Sequence, residues 1–162
     1  MSAAGSDSPE KHTAGTHEGE TTPSPRISRL FVLAAVLSLA GLADAVYLTV
    51  EHLTGRSIRC TVTSGCSEVL GSPYAVIGGY PLALLGAIAY FTTFSLATLA
   101  AFGSRRAGNV LAVLVALMFA MTLWLLYLQA FVLEAYCQYC LLSAVITSLL
   151  LVVIVIARRA TK

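Results

Sequence analysis

Three long stretches of this chain carry no charged side chain: Glu68 to Arg105, Arg106 to Glu134, and Glu134 to Arg158, counted between their bounding charges. Uncharged, mainly apolar runs of about 18 residues or more read as membrane spans, because roughly 20 residues of helix cover a hydrocarbon core of about 30 Å. Helix is the expected form, since lipid offers backbone polar groups no partner. This reading predicts four spans, at about residues 30–50, 81–102, 109–132 and 136–157. The fold class expected is therefore an all-α membrane protein, a four-transmembrane-helix bundle. A soluble bundle is disfavoured because the four segments have no polar faces. Composition agrees: 57% of residues are apolar and only 11% charged, against about 25% charged in soluble domains. A net charge of +2, with no basic patch interleaved with aromatics, gives no reason to expect nucleic acid as a partner.

Residues 1–29 differ from the rest. They are rich in Ser, Thr, Gly, Pro, Glu and His and read as a disordered polar tail, which leaves 30–162 as the membrane domain. Ala43-Asp44-Ala45 loosely resembles a signal-peptidase site, but the apolar stretch continues to Val50, so an uncleaved span is expected. Arg26 and Arg29 precede the first span, Arg105 and Arg106 link the second and third, and Arg158, Arg159 and Lys162 follow the fourth. Four spans place these groups on one side, the cytoplasmic one by the bias of basic residues. Arg56 and Arg59 are a minority on the other. The expectation is a multi-pass protein of the inner or plasma membrane with both termini cytoplasmic.

The same topology puts all four cysteines outside, where disulfides persist. Cys60 and Cys66 fall in the long loop after span one, and Cys137-Gln138-Tyr139-Cys140 opens span four. Within a first helical turn, positions i and i+3 share a face, with Cα atoms about 5 to 6 Å apart, inside the range of a disulfide. A helix N-terminus favours thiolate. Cys137, nearest the end, is expected to be the more exposed thiol, and Cys140, a turn deeper, to face the membrane side. One motif then offers a water-side and a lipid-side contact. Cys60 and Cys66 flank a turn-like Thr63-Ser64-Gly65. A mobile pair there can shuttle through mixed disulfides, or it is a plain structural staple. A zinc site from the cysteines would be an alternative, making this a structural or metal-binding membrane protein, though the C-x-x-C enters lipid between Tyr136, Tyr139, Leu141 and Leu142. Covalent haem would need His where Leu141 stands.

Cys66-Ser67-Glu68-Val69-Leu70-Gly71-Ser72, then Gly79-Tyr80-Pro81 with Gly86 and Tyr90, then Ala135-Tyr136-Cys137-Gln138-Tyr139-Cys140, resemble the vitamin K epoxide reductase family, in its bacterial branch, over about residues 28–158. The resemblance implies a four-helix bundle around a quinone, with a short helix in the outer loop. It implies that Cys137 and Cys140 are the active-site pair, Cys140 nearest the quinone, and that Cys60 and Cys66 are the relay, Cys66 exchanging with Cys137. Ser72 matches a family serine near the quinone. The chain ends at Lys162 without the thioredoxin-like domain fused to some relatives, which implies a separate DsbA-like thioredoxin-fold partner. Ala144 stands where the animal enzymes have Tyr, so menaquinone or ubiquinone is the expected acceptor. A DsbB-like enzyme fits less well, because there the C-x-x-C lies in the first outer loop.

Asp44 is the one acid inside a span. Such a residue is costly and faces a partner or cavity. It either hydrogen-bonds the quinone or relays a proton, or it is held by another helix, for instance by Gln129. His52 reads as interfacial, Trp124 and Tyr127 as lipid-facing or packing aromatics, Pro81 as the first residue of span two, and Gly86 as a point of close helix packing.

Overall fold

The computed structural model describes residues 25–54 and 65–160. Its order is α1 (Pro25–Leu53), α2 (Cys66–Gly71), a 3₁₀ turn (Pro73–Ala75), β1 (Val76–Ile77), β2 (Tyr80–Pro81), α3 (Leu82–Ala101), α4 (Arg105–Phe131) and α5 (Gln138–Ala160). Helices α1, α3, α4 and α5 are long and apolar enough to cross a membrane. These are the four expected spans, with ends displaced by a few residues, and the chain is a multi-pass membrane protein. Helix α1 starts at Pro25, inside the stretch expected as tail; residues 1–24 lie outside the described residues.

The large apolar side chains point outward. Val32, Val36, Ile88, Phe91, Val113, Leu117, Trp124 and Val152 are all exposed, as lipid-facing residues must be. The interior is built from small side chains, among them Ala34, Ala45, Ala97, Ala100 and Ala157, around Leu111, Val115, Leu150 and Ile154. Between helices in lipid there is no hydrophobic driving force, so close approach of small residues supplies the packing. Each helix packs on the next, α1 on α3, α3 on α4, α4 on α5, and α5 closes the ring on α1. The buried Ser38 and Thr49 hydroxyls are satisfied within their own helix, donating to the carbonyls of Ala34 and Ala45, each at 2.7 Å, as polar groups in a membrane require.

Gly41 leaves room for the ring of Tyr90, which a Cβ there would overlap. Gly86, expected to serve this purpose, does not: a Cβ there meets only Ala45 Cβ, at an ordinary 3.8 Å. Tyr90 is 2% exposed. Its hydroxyl reaches Ser143 Oγ at 2.8 Å, Thr147 Oγ1 at 2.9 Å and the Ser143 carbonyl at 3.2 Å, so it fixes α3 to the first turns of α5.

The links follow local chemistry. Helix α3 ends in a Schellman motif: Gly103 (φ 98°) donates to the Ala100 carbonyl and Ser104 N to that of Leu99. The Ser104 hydroxyl then caps α4 by accepting from Ala107 N. At this end Arg158 Nη2 donates to Asn109 Oδ1 at 3.0 Å. At the opposite end lie α2 and a two-residue antiparallel hairpin pairing Val76 with Pro81 and Ile77 with Tyr80. The short helix was expected and the hairpin was not. Its turn, Gly78-Gly79 at φ 59° and 87°, takes the left-handed geometry that matches strand twist. Pro81 is the N-cap of α3 rather than its first residue.

Candidate functional site

Cys66 is the first residue of α2 and is 1% exposed. It is disulfide-bonded, whereas Cys137 and Cys140 are free thiols. Cys60 lies outside the described residues. Cys66 and Cys137 share one buried cluster with Leu48, Val69 and Ala135, and Cys140 packs against it. The contact is close because Gly65, just before Cys66, has no side chain. A Cβ there would meet Tyr136 N at 2.8 Å and Ala135 Cβ at 2.9 Å.

The approach to α5 is shaped by Glu134, the single non-glycine residue with positive φ among the described residues (49°), and by Gln129 on α4. Gln129 is 3% exposed. Its carbonyl accepts from Ala135 N at 3.2 Å, and its Oε1 accepts from Cys137 N at 3.3 Å. It lines the same cavity as Cys140. The Cys137 carbonyl accepts from Leu141 N at 3.0 Å, so Cys137 is the N-cap of α5 and Cys140 its third residue. That position carries electrostatic weight. The Cys140 thiol donates to the Cys137 sulfur, the largest influence on it, and burial opposes. The backbone N–H groups of Cys140 and Tyr139 donate as well, and the Asp44 carboxyl opposes. The net result lowers Cys137 from an ordinary 9.0 to about 7.

The expected exposures are reversed. Cys137 is fully buried, while Cys140 is part-exposed and lines a cavity. Helix depth alone favoured the opposite order. The reason is the segment at Gly65, which lies across residues 135 and 136 and covers the helix end.

The cavity has a volume of about 140 Å³ and is lined by α1, α2, the hairpin region, α3, α4 and α5. Its wall is mostly apolar, with Leu48, Val69, Leu125 and Leu133, and its polar groups include Asp44, His52, Ser72, Gln129 and Cys140. A cavity of about 150 Å³ holds a benzene ring, so this one suits a single ring with a few convergent polar groups. Oδ2 of Asp44 is buried without a hydrogen-bond partner, an atom that calls for an explanation. The Gln129 partner expected for it is engaged with the Cys137 N–H instead. Ser72 is 8% exposed, and its hydroxyl donates to the Val69 carbonyl at 2.7 Å, tying off α2; toward the cavity it has lone pairs to offer. These features fit a quinone head group: an apolar slot, an orphaned carboxyl oxygen and a thiol on its wall. His52, read as interfacial, also lines the cavity. Trp124 and Tyr127 stack on each other at 5.9 Å, about half exposed and away from it. The parts that Gly65 and Gln129 play at the cysteines were not read from sequence, where Gly65 was a turn residue and Gln129 a possible partner of Asp44. A glycine has no visible spatial role in one dimension, but a lone Gln in an otherwise apolar span was a signal.

Comparison with known proteins bears on this arrangement. Over 48 residues, 29% of this chain, the sequence is 42% identical to the thiol-disulfide oxidoreductase LTO1 of Arabidopsis thaliana, a match that spans 13% of that protein. The profile of the vitamin K epoxide reductase family (VKOR) matches residues 32–155. With most of its length so matched, the chain belongs to the vitamin K epoxide reductase family.

Proposed function

We propose that this protein is a membrane thiol oxidoreductase that takes electrons from a separate DsbA-like thioredoxin-fold protein and delivers them to a membrane quinone, menaquinone or ubiquinone, so supporting disulfide formation. The observation that carries the reading is the order of sulfurs: disulfide-bonded Cys66 and free Cys137 in one buried cluster, with Cys140 beside them on the cavity wall. A disulfide-bonded Cys66 packed beside two free thiols is an arrangement across which thiol–disulfide exchange can run.

The chain's own residues perform the exchange. The partner reduces the Cys60–Cys66 pair. A Cys66 thiolate attacks Cys137 in the oxidised C-x-x-C, the Cys66–Cys137 bond forms, and the Cys137–Cys140 bond breaks with its electron pair left on Cys140. Cys60 then attacks Cys66, restoring the loop disulfide and releasing Cys137 as a thiolate, the form its helix cap favours. Reclosing the Cys137–Cys140 disulfide releases two electrons and two protons. Asp44, Ser72 and the apolar wall would hold a quinone, which would supply the acceptor for both. Asp44, with its free oxygen, is placed to hold a proton beside Cys140. Both termini are cytoplasmic and the cysteines extracytoplasmic in this reading, supported by Arg26, Arg29, Arg105, Arg106, Arg158 and Arg159 at one end of the bundle.

The test is anaerobic mixing of the purified protein with a reduced thioredoxin-fold donor and a quinone. Quinol and oxidised donor appear in equal amounts if the reading is right. Cys140→Ala yields a trapped Cys66–Cys137 disulfide by mass spectrometry of non-reduced peptides. Absence of quinol together with absence of the trapped bond overturns the reading.

A further inference from the structure

Gln129 is a buried side chain beside the C-x-x-C. Its Oε1 is committed to the Cys137 N–H at 3.3 Å, which leaves its Nε2 as the carboxamide's donor, and Gln129 shares the cavity wall with Cys140. The surrounding cavity wall is mainly apolar, formed by residues such as Leu125, Leu128 and Leu133. A sulfur leaving into such a wall carries a full charge with few donors to receive it. We infer that Gln129 is a catalytic residue of thiol–disulfide exchange: its carboxamide holds Cys137 in place through the backbone and donates to the Cys140 sulfur as it leaves.

The inference rests on the proposed exchange between loop and C-x-x-C, in which the Cys66 sulfur bonds to Cys137 and the electron pair of the broken bond departs on Cys140. Exchange rates and equilibria depend on how well the leaving thiolate is stabilised, and hydrogen bonds to charged groups are the strong ones. The other candidates nearby are already committed or face elsewhere. The Ser72 proton goes to the Val69 carbonyl. Tyr90 OH serves Ser143 and Thr147. Asp44, a carboxylate when ionised, repels a thiolate. His52 is on the cavity wall, two helical turns from Asp44 toward the end of α1.

The test needs neither quinone nor partner. In Cys60→Ser protein, Cys66 has no resolving partner, so it equilibrates between a free thiol beside Cys137–Cys140 and a Cys66–Cys137 disulfide beside free Cys140. Acid quenching, alkylation and mass spectrometry give the ratio. Q129L, which can neither donate nor accept, should lower the Cys66–Cys137 form at least about tenfold. Q129E keeps an oxygen for the Cys137 N–H. Its carboxyl donates while neutral and repels once ionised, so its ratio should fall between about pH 6 and about pH 9, the range in which buried carboxyls titrate. Q129L should show no such fall. A ratio unchanged in Q129L, or one in Q129E that matches the Gln129 protein at every pH, overturns the inference. Should Q129L fail to fold, the near-isosteric Q129E decides alone by the same criterion. Failure of the underlying reading looks different: no Cys66–Cys137 bond forms even with Gln129 intact.

Discussion

Adding one methyl group at Gly65 tests whether the loop is held where transfer requires it. The backbone there, φ −93° and ψ 6°, is open to any residue, so the obstacle in Gly65→Ala is space alone. The new Cβ would stand 2.8 Å from Tyr136 N, 3.0 Å from Tyr136 O and 2.9 Å from Ala135 Cβ. Two of these are backbone atoms and cannot rotate away. Ordinary contacts of carbon begin near 3.5 Å, so the two segments must part by about 0.7 Å. Overpacking of this kind costs roughly 1–3 kcal/mol. The kinetic effect is larger in proportion, because Cys66 is the next residue and Cys137 lies one beyond Tyr136. Misplacement by about 1 Å can slow a positioned reaction roughly 100-fold, so loop-to-C-x-x-C transfer should fall about 10- to 100-fold. Quinone reduction is measured with two donors: a reduced thioredoxin-fold protein, which must use the loop, and dithiothreitol, which can enter by the cavity and meet part-exposed Cys140. Gly65→Ala should slow the first and spare the second. Equal loss with both donors, or no loss with either, refutes the argument.

Three further outcomes follow from the site and its supports. With Cys60 and Cys66 both replaced by Ala so that Cys137 cannot be trapped, adding Cys140→Ala removes the largest influence holding Cys137 low, and the pH at half-maximal alkylation of Cys137 by a small reagent should rise from about 7 toward the ordinary 9.0; an unmoved midpoint would assign the shift to the helix cap instead. Asp44→Asn should reduce quinol formation tenfold or more, on the order of a lost acid–base group, while the Cys66–Cys137 bond still traps in the Cys140→Ala background; full quinol rates would remove Asp44 from the chemistry. Tyr90→Phe should cost about 1–2 kcal/mol through the lost hydroxyl contacts, and Gly41→Ala, which displaces the ring itself, should cost more, as read by denaturant unfolding; the reverse order would refute the packing account.

The spans were legible because charge is so costly in lipid that its absence marks the membrane in one dimension. The grouping of Cys66, Cys137 and Cys140 at one end followed from counting spans. The exposure of the two C-x-x-C thiols did not follow, because it depends on where a loop more than sixty residues earlier comes to rest. The hairpin had a signal, Gly78-Gly79 between Val76-Ile77 and Tyr80, which fits a two-residue turn but is easily passed over in a helical chain. Asp44 stood out as the one acid in a span, yet its bare Oδ2 depends on Gln129 being turned to Cys137 instead, which no one-dimensional pattern carries. Ser72 was placed by resemblance, and its bond to Val69 O shows a capping duty that resemblance does not carry.

The burial of Cys137 changes what the loop pair is for. An exposed Cys137 could be reduced directly by any soluble dithiol, and the loop would be an accessory. With no surface of its own, Cys137 can be met only by a sulfur already inside the protein or one that enters past Cys140. Cys66, buried in the same cluster, is such a sulfur. If Cys66 is the relay proposed above, the cover that excludes outside thiols from Cys137 is also the segment that carries its reductant. In this proposed relay, opening the cover and supplying the electrons are the same event. The reactive Cys137 thiolate is then exposed only to the one partner with which it should exchange, and the cavity is left with a single thiol on its wall. Selectivity for the donor would come from the loop, and selectivity for the acceptor from the cavity. Substitutions at the two ends should therefore change the two specificities independently.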